Sequence, residues 1–163
     1  MKKAIIIYYS HDGNTKKIAE AMAAHLHVDS MEIKPTDERK AKGFGKYFWG
    51  GYQVVMGKIP ELEPLEKDIS SYDMVFLGTP IWAGTYSPPI KTLLEGGIIK
   101  DKEVAFFCTH DGGPGKAIDK ASGAIERNNT LVGTKDFPAP KKKMEACISE
   151  ALIWAEQMIE SDK

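Results

Sequence analysis

Residues 4–9, Ala-Ile-Ile-Ile-Tyr-Tyr, form an unbroken run of aliphatic and aromatic side chains. A strand covered on both faces has this pattern, so the run predicts a central, parallel strand. Over residues 14–26 the period changes. Ile18, Met22 and Leu26 fall four apart with Ala19 and Ala23 beside them, which is the apolar stripe of a helix. The chain thus opens as strand, turn, helix.

A weaker strand is expected from Val28 to Lys34, followed by an aromatic-rich segment from Lys40 to Gly57 containing Phe44, Tyr47, Phe48, Trp49 and Tyr52. The Gly50-Gly51 pair argues against an unbroken helix there. Core packing is the simplest use of those rings; a partner surface or a homodimer contact is another. After a linker from Pro60 to Pro64, residues 74–79 read as a second buried strand that ends at Pro80. Ser87-Pro88-Pro89 suits a helix start, because proline has no N–H to lose in the first turn, and Gly96-Gly97 suits its end. Further elements follow: a strand from Glu103 to Thr109, a helix from Lys116 to Arg127, and a strand from Leu131 to Phe137 weakened by Gly133. The last helix starts from Met144, with Cys147, Ile148, Ala151, Leu152, Ala155, Met158 and Ile159 at three-and-four spacing. Five strand-helix units without internal repeats imply one doubly wound α/β domain over residues 1–163. Right-handed crossovers then line up all the strand-end loops along one edge of the sheet.

The bulk numbers narrow the class. With 42% hydrophobic and 28% charged residues the chain has the balance of an ordinary globular protein. Its 22 basic and 23 acidic side chains leave a net charge of -1, so no basic footprint points to nucleic acid or to a membrane surface. The first apolar run is too short for a signal peptide, and Cys108 and Cys147 have neither zinc nor CxxC spacing. A cytoplasmic setting is expected.

Three strand-end loops carry the candidate chemistry. After the first strand come Ser10, His11, Asp12, Gly13, Asn14 and Thr15, hydroxyl and amide groups around a glycine where a helix begins. Free N–H groups at a helix start bind anions, so this loop reads as a phosphate cradle, with plain capping by Ser10 or Asp12 as the alternative. After the strand at 74–79 come Thr79, Pro80, Ile81, Trp82, Ala83 and Gly84, where a large indole sits among small residues. A flat heterocycle on Trp82 would explain it; packing on a neighbouring helix is the alternative. After the strand at 103–109, Thr109, His110, Asp111, Gly112, Gly113 and Gly115 leave backbone groups approachable by a ligand edge.

Together the three loops resemble the flavodoxin family: S-x-x-G-N-T, then G-T-P-I-W-A-G-T-Y-S-P-P, then T-x-x-G-G-x-G. The resemblance covers nearly the whole chain and implies a flavodoxin-like sandwich, with helices on both faces of a five-stranded parallel sheet of order 2-1-3-4-5. It implies FMN as cofactor, its phosphate on residues 10–15 and its isoalloxazine between residues 80–84 and 109–115, with Trp82 against the ring. Two departures stand out. The third loop has no second aromatic, which implies an open outer flavin face. The chain is also near neutral, where flavodoxins are commonly acidic.

Other readings fail on particular residues. Gly115-Lys116 is no P-loop, since Ala117 stands where Ser or Thr is needed and His110 where the first glycine is needed. Thr79-Pro80 replaces the aspartate of a phosphate-accepting receiver domain, and neither cysteine has the arginine of a phosphatase loop. GxGxxG is absent, and His11 with His110 has no evident third metal ligand. No side chain stands out as acid, base or nucleophile. The expected function is an electron carrier exchanging with a redox partner protein or a small-molecule electron donor or acceptor. A small NAD(P)H-dependent oxidoreductase, such as a quinone reductase, is the alternative, and a flavin-binding sensor or assembly factor the second.

Overall fold

Alternation along the central strands sorts their side chains to two faces, and helices cover both. In the computed structural model, residues 2–36 and 59–161 are described; the aromatic segment at 44–52 lies outside them. The elements are β1 Ala4–Tyr8, α1 Asn14–Leu26, β2 Asp29–Glu32, β3 Met74–Trp82 and β4 Thr85–Tyr86. They continue as α2 Pro88–Glu95, β5 Glu103–His110, α3 Ala117–Glu126, β6 Thr130–Pro138 and α4 Pro140–Glu160. Five strands run parallel in the order β2-β1-β3-β5-β6, and β4 folds back antiparallel on the tip of β3. Leaving out β4, this is the expected 2-1-3-4-5 order.

Ile5, Ile7, Val75, Leu77, Val104 and Phe106 pack with Ile90 and Leu93 of α2 and Ala121 and Ile125 of α3. Ile6, Tyr8, Phe76, Ala105 and Phe107 face the other way, onto Ile18 and Met22 of α1 and Ala151 and Trp154 of α4. The first strand reads as uniformly apolar because both of these cores need its side chains. Among the described residues, no helix is long and apolar enough to cross a membrane.

The structure corrects several expected boundaries. β3 does not stop at Pro80 but continues to Trp82. Gly78 accepts from the Tyr9 amide on the β1 side, so alternation turns Pro80 to that side too. β1 has already ended there at Tyr8, and the missing proline N–H costs no ladder bond. The final helix begins at Pro140 rather than Met144, its first turn separated from the rest by non-helical Lys143 (φ -131°, ψ 33°). Ser87 does precede α2, yet its hydroxyl bonds Thr79 instead of capping the helix. The hairpin strand β4 was not anticipated, being only two residues long.

Candidate functional site

The first loop delivers a helix start whose own N-cap residue has no side chain. Gly13, at φ 86°, is the residue before α1 and contributes no side-chain cap. The Lys16 amide donates to Ser10 Oγ at 3.1 Å, and the Lys17 amide to the Gly13 carbonyl at 3.1 Å. Ser10 therefore does cap one amide, as the plain-capping reading held. Ahead of it, the Asn14 and Thr15 amides have no acceptor inside the helix, and the helix dipole favours an anion there. The Lys16 ammonium is committed to Glu32 at 3.0 Å, a bond that raises its pKa. Asp12 is exposed, with Lys141 Nζ 3.9 Å from its carboxylate.

The second loop is the β3–β4 hairpin. Ala83 (φ 49°) and Gly84 (φ 72°) are both left-handed, the two-residue turn whose twist matches that of the flanking strands. Trp82 just precedes this turn and is half-buried, not freely exposed. Tyr9 and His11 meet its ring edge-to-face, with centroids at 5.5 and 5.3 Å and interplanar angles of 89°. Its neighbours are thus Tyr9, just after β1, and His11 of the first loop, with Trp82 also packed on the core beneath. Thr79 is fully buried; its hydroxyl accepts the Ser87 amide at 3.0 Å and lies 2.8 Å from the Ser87 hydroxyl. It supports the hairpin from below rather than facing outward. Pro80 and Ile81 are partly covered in the strand itself.

In the third loop Thr109 is buried while Asp111, Gly112, Gly113 and Gly115 are exposed. Thr109 Oγ1 lies 2.9 Å from Thr15 Oγ1. His110 Nε2 is 2.8 Å from Asp136 Oδ2, and the Gly113 amide donates to His110 Nδ1 at 2.9 Å. A Cβ added at Gly115 would sit 3.6 Å from Gly84 Cα, so the second and third loops abut through glycines. Below the loop, burial and then the Asp136 charge push the Cys108 thiol up to about 12.

All three expected loops therefore converge on one edge, joined pairwise by Thr15–Thr109, His11–Trp82 and Gly84–Gly115. Sequence reasoning missed Tyr9 and Asp136 as neighbours of this site, since a strand residue and an isolated carboxylate carry no loop motif. A large cleft elsewhere, lined by Lys2, Asp73, Lys102, Arg127 and Asn129, lies at the opposite edge of the sheet. Two of its cations are engaged: Lys102 donates to the Ser70 and Tyr72 carbonyls, and Lys2 pairs with Glu103.

Residues 2–121 match the family described as NADPH-dependent FMN reductase. The chain belongs to this family. It is a flavodoxin-like flavoprotein, and FMN is its flavin. A flavoprotein from Lactobacillus acidophilus NCFM, solved in complex with FMN, is 27% identical with a TM-score of 0.70, over 90% of this chain and 98% of its own. Oxidised flavodoxin 2 from Bacillus cereus shares the fold with a TM-score of 0.64 at 21% identity, over 98% of this chain and 99% of its own. A WrbA-like flavodoxin from Agrobacterium tumefaciens does so with 0.60 at 13% identity, over 98% and 99%. No curated protein matches the chain.

Proposed function

We propose that this FMN reductase family member holds FMN across the three converged loops and passes electrons from NAD(P)H to a small acceptor of quinone type. The residues fit the cofactor on two counts. The start of α1 offers amides and the Ser10 and Asn14 side chains to a phosphate, and a Cβ at Gly13 would meet nothing within 4 Å, so an anion can approach its backbone. The third loop has exposed backbone at Gly112 and Gly113, again with open space where a Cβ would be.

Bound FMN supplies the redox chemistry, accepting hydride from a nicotinamide and returning electrons to the acceptor. This chain's residues bind and orient it. Asn14 and Thr15 place the phosphate, Trp82 walls one side with Tyr9 and His11 bracing its ring, and Gly84 with Gly112–Gly113 borders the ring edges. The third loop offers only Gly, Pro, His and Asp. The observation carrying the reductase reading over the carrier reading is the family match, with the lack of an aromatic in the third loop in keeping with it. The flavodoxin likeness keeps one-electron carriage as the second reading.

Stopped-flow mixing of the FMN-loaded protein with NADPH and with NADH decides between them. Rapid bleaching of the flavin band, followed by reoxidation on adding a quinone, is the expected result. Inertness toward both nucleotides overturns the reductase reading in favour of a carrier.

A further inference from the structure

Asp136 stands on β6, outside the three loop motifs and beyond the stretch 2–121 that matches the family. It nonetheless reaches the third loop through His110. A backbone amide can only donate, so the Gly113 N–H at 2.9 Å makes His110 Nδ1 an acceptor without a proton. The ring proton therefore sits on Nε2, where it is donated to Asp136 Oδ2 at 2.8 Å. The imidazole is 6% exposed, whereas the loop it holds, Asp111 to Gly113, is exposed. Gly113 has φ 106°, a conformation open to glycine and hard to keep without an anchor. The Ala139 amide donates to the His110 carbonyl at 2.8 Å and fixes the backbone from behind. Lys135, next to Asp136, is engaged by Glu150 at 3.0 Å.

We propose that Asp136 is a positioning residue: it locks His110 with its proton on Nε2, so that Nδ1 pins the Gly113 amide and holds the third loop ready for the hydrogen-bonding edge of a flat heterocycle. The occupant, isoalloxazine, rests on the function proposed above. With the proton on Nδ1 instead, two N–H groups would face each other and the loop would be pushed off the ring. Glycine-rich backbone loses the most freedom on ordering, so a loop held beforehand binds its ligand without meeting that cost at the moment of binding. The bond also removes the Gly113 N–H from the set of donors open to the ligand.

The test uses the full chain and three variants: Asp136→Ala, Asp136→Asn, whose amide oxygen can still accept from Nε2, and His110→Ala. In FMN-free protein, nitrogen chemical shifts report the His110 tautomer and hydrogen exchange reports the Gly113 amide. Wild type and Asp136→Asn should keep the proton on Nε2 and protect Gly113. Asp136→Ala should mix the tautomers, and it and His110→Ala should exchange Gly113 about tenfold faster, the size of one lost hydrogen bond. FMN titration should then show about tenfold weaker binding and a shifted flavin potential for Asp136→Ala, rescued by Asp136→Asn.

An unchanged tautomer and unchanged Gly113 protection in Asp136→Ala overturn the proposal. So do altered tautomer and exchange with wild-type FMN affinity and potential, which would leave Asp136 a purely structural role. If the FMN-free readouts behave as expected and wild type fails to bind FMN, the pinned loop stands and the functional reading falls.

Discussion

Thr15 and Thr109 meet hydroxyl to hydroxyl at 2.9 Å, 94 residues apart in the chain and both buried, at 2% and 4% exposure. The contact ties the start of α1 to the end of β5, so the first and third loops share one buried hydrogen bond. Removing one hydroxyl strands the other away from water. Thr15→Val and Thr109→Val should each cost about 1–3 kcal/mol, and the double variant clearly less than their sum. Urea denaturation of the four proteins measures this. Additive losses would show that the two hydroxyls do not depend on each other.

The hairpin carrying Trp82 contains a residue poorly suited to its backbone. Ala83 has φ 49° and is followed by Gly84 at φ 72°. A left-handed alanine is strained, while Asn-Gly is the preferred pair for this turn. Ala83→Asn should raise stability by about 0.5–1 kcal/mol, read as a higher melting temperature. Gly84→Val places a β-branched side chain at positive φ, and should lower stability by about 1–3 kcal/mol and weaken FMN binding or shift its potential. Unchanged FMN affinity and potential in Gly84→Val would remove Gly84 from the flavin site.

Two glycines within strands should respond differently to alanine. A Cβ at Gly78 would fall 2.2 Å from the Phe107 ring, and one at Gly133 would fall 2.2 Å from Met158 Sδ. Phe107 is fully buried and rigid, whereas Met158 is flexible and only partly buried. Gly78→Ala should cost about 1–3 kcal/mol and Gly133→Ala under about 1 kcal/mol. Denaturation midpoints give the comparison, and Phe107→Leu should restore part of the Gly78→Ala loss.

Buried groups set the alkaline limit of the fold. Burial and then the Asp136 charge push the Cys108 thiol up from 9.0 to about 12, and the bond donated to Asp29 pushes the Tyr72 hydroxyl up from 10.0 to about 12. Each folded value lies above the unfolded one, so the stabilisation is complete below the unfolded value and falls as pH rises toward 12. Melting temperatures should decline from about pH 9 upward, and Cys108→Ala should flatten the first part of that decline. Near neutral pH, iodoacetamide should label Cys108 only after denaturation, as peptide mass spectrometry can show.

The unbroken apolar run at residues 4–9 and the helical period at 14–26 were enough to read strand and helix, because the central part of a strand buried on two faces carries apolar side chains. The glycine and hydroxyl composition of the loops was likewise readable, since helix starts and close backbone approach demand those residue types locally. Pairings between distant residues carry no local signature. Pro80 can continue β3 only because β1 ends beside it, Trp82 meets Tyr9 and His11 only because the loops converge, and Asp136 reaches His110 only because β6 lies next to β5. Local chemistry along the chain dictated the elements and the glycine- and hydroxyl-rich loops between them; the order of strands in space decided which distant side chains meet there.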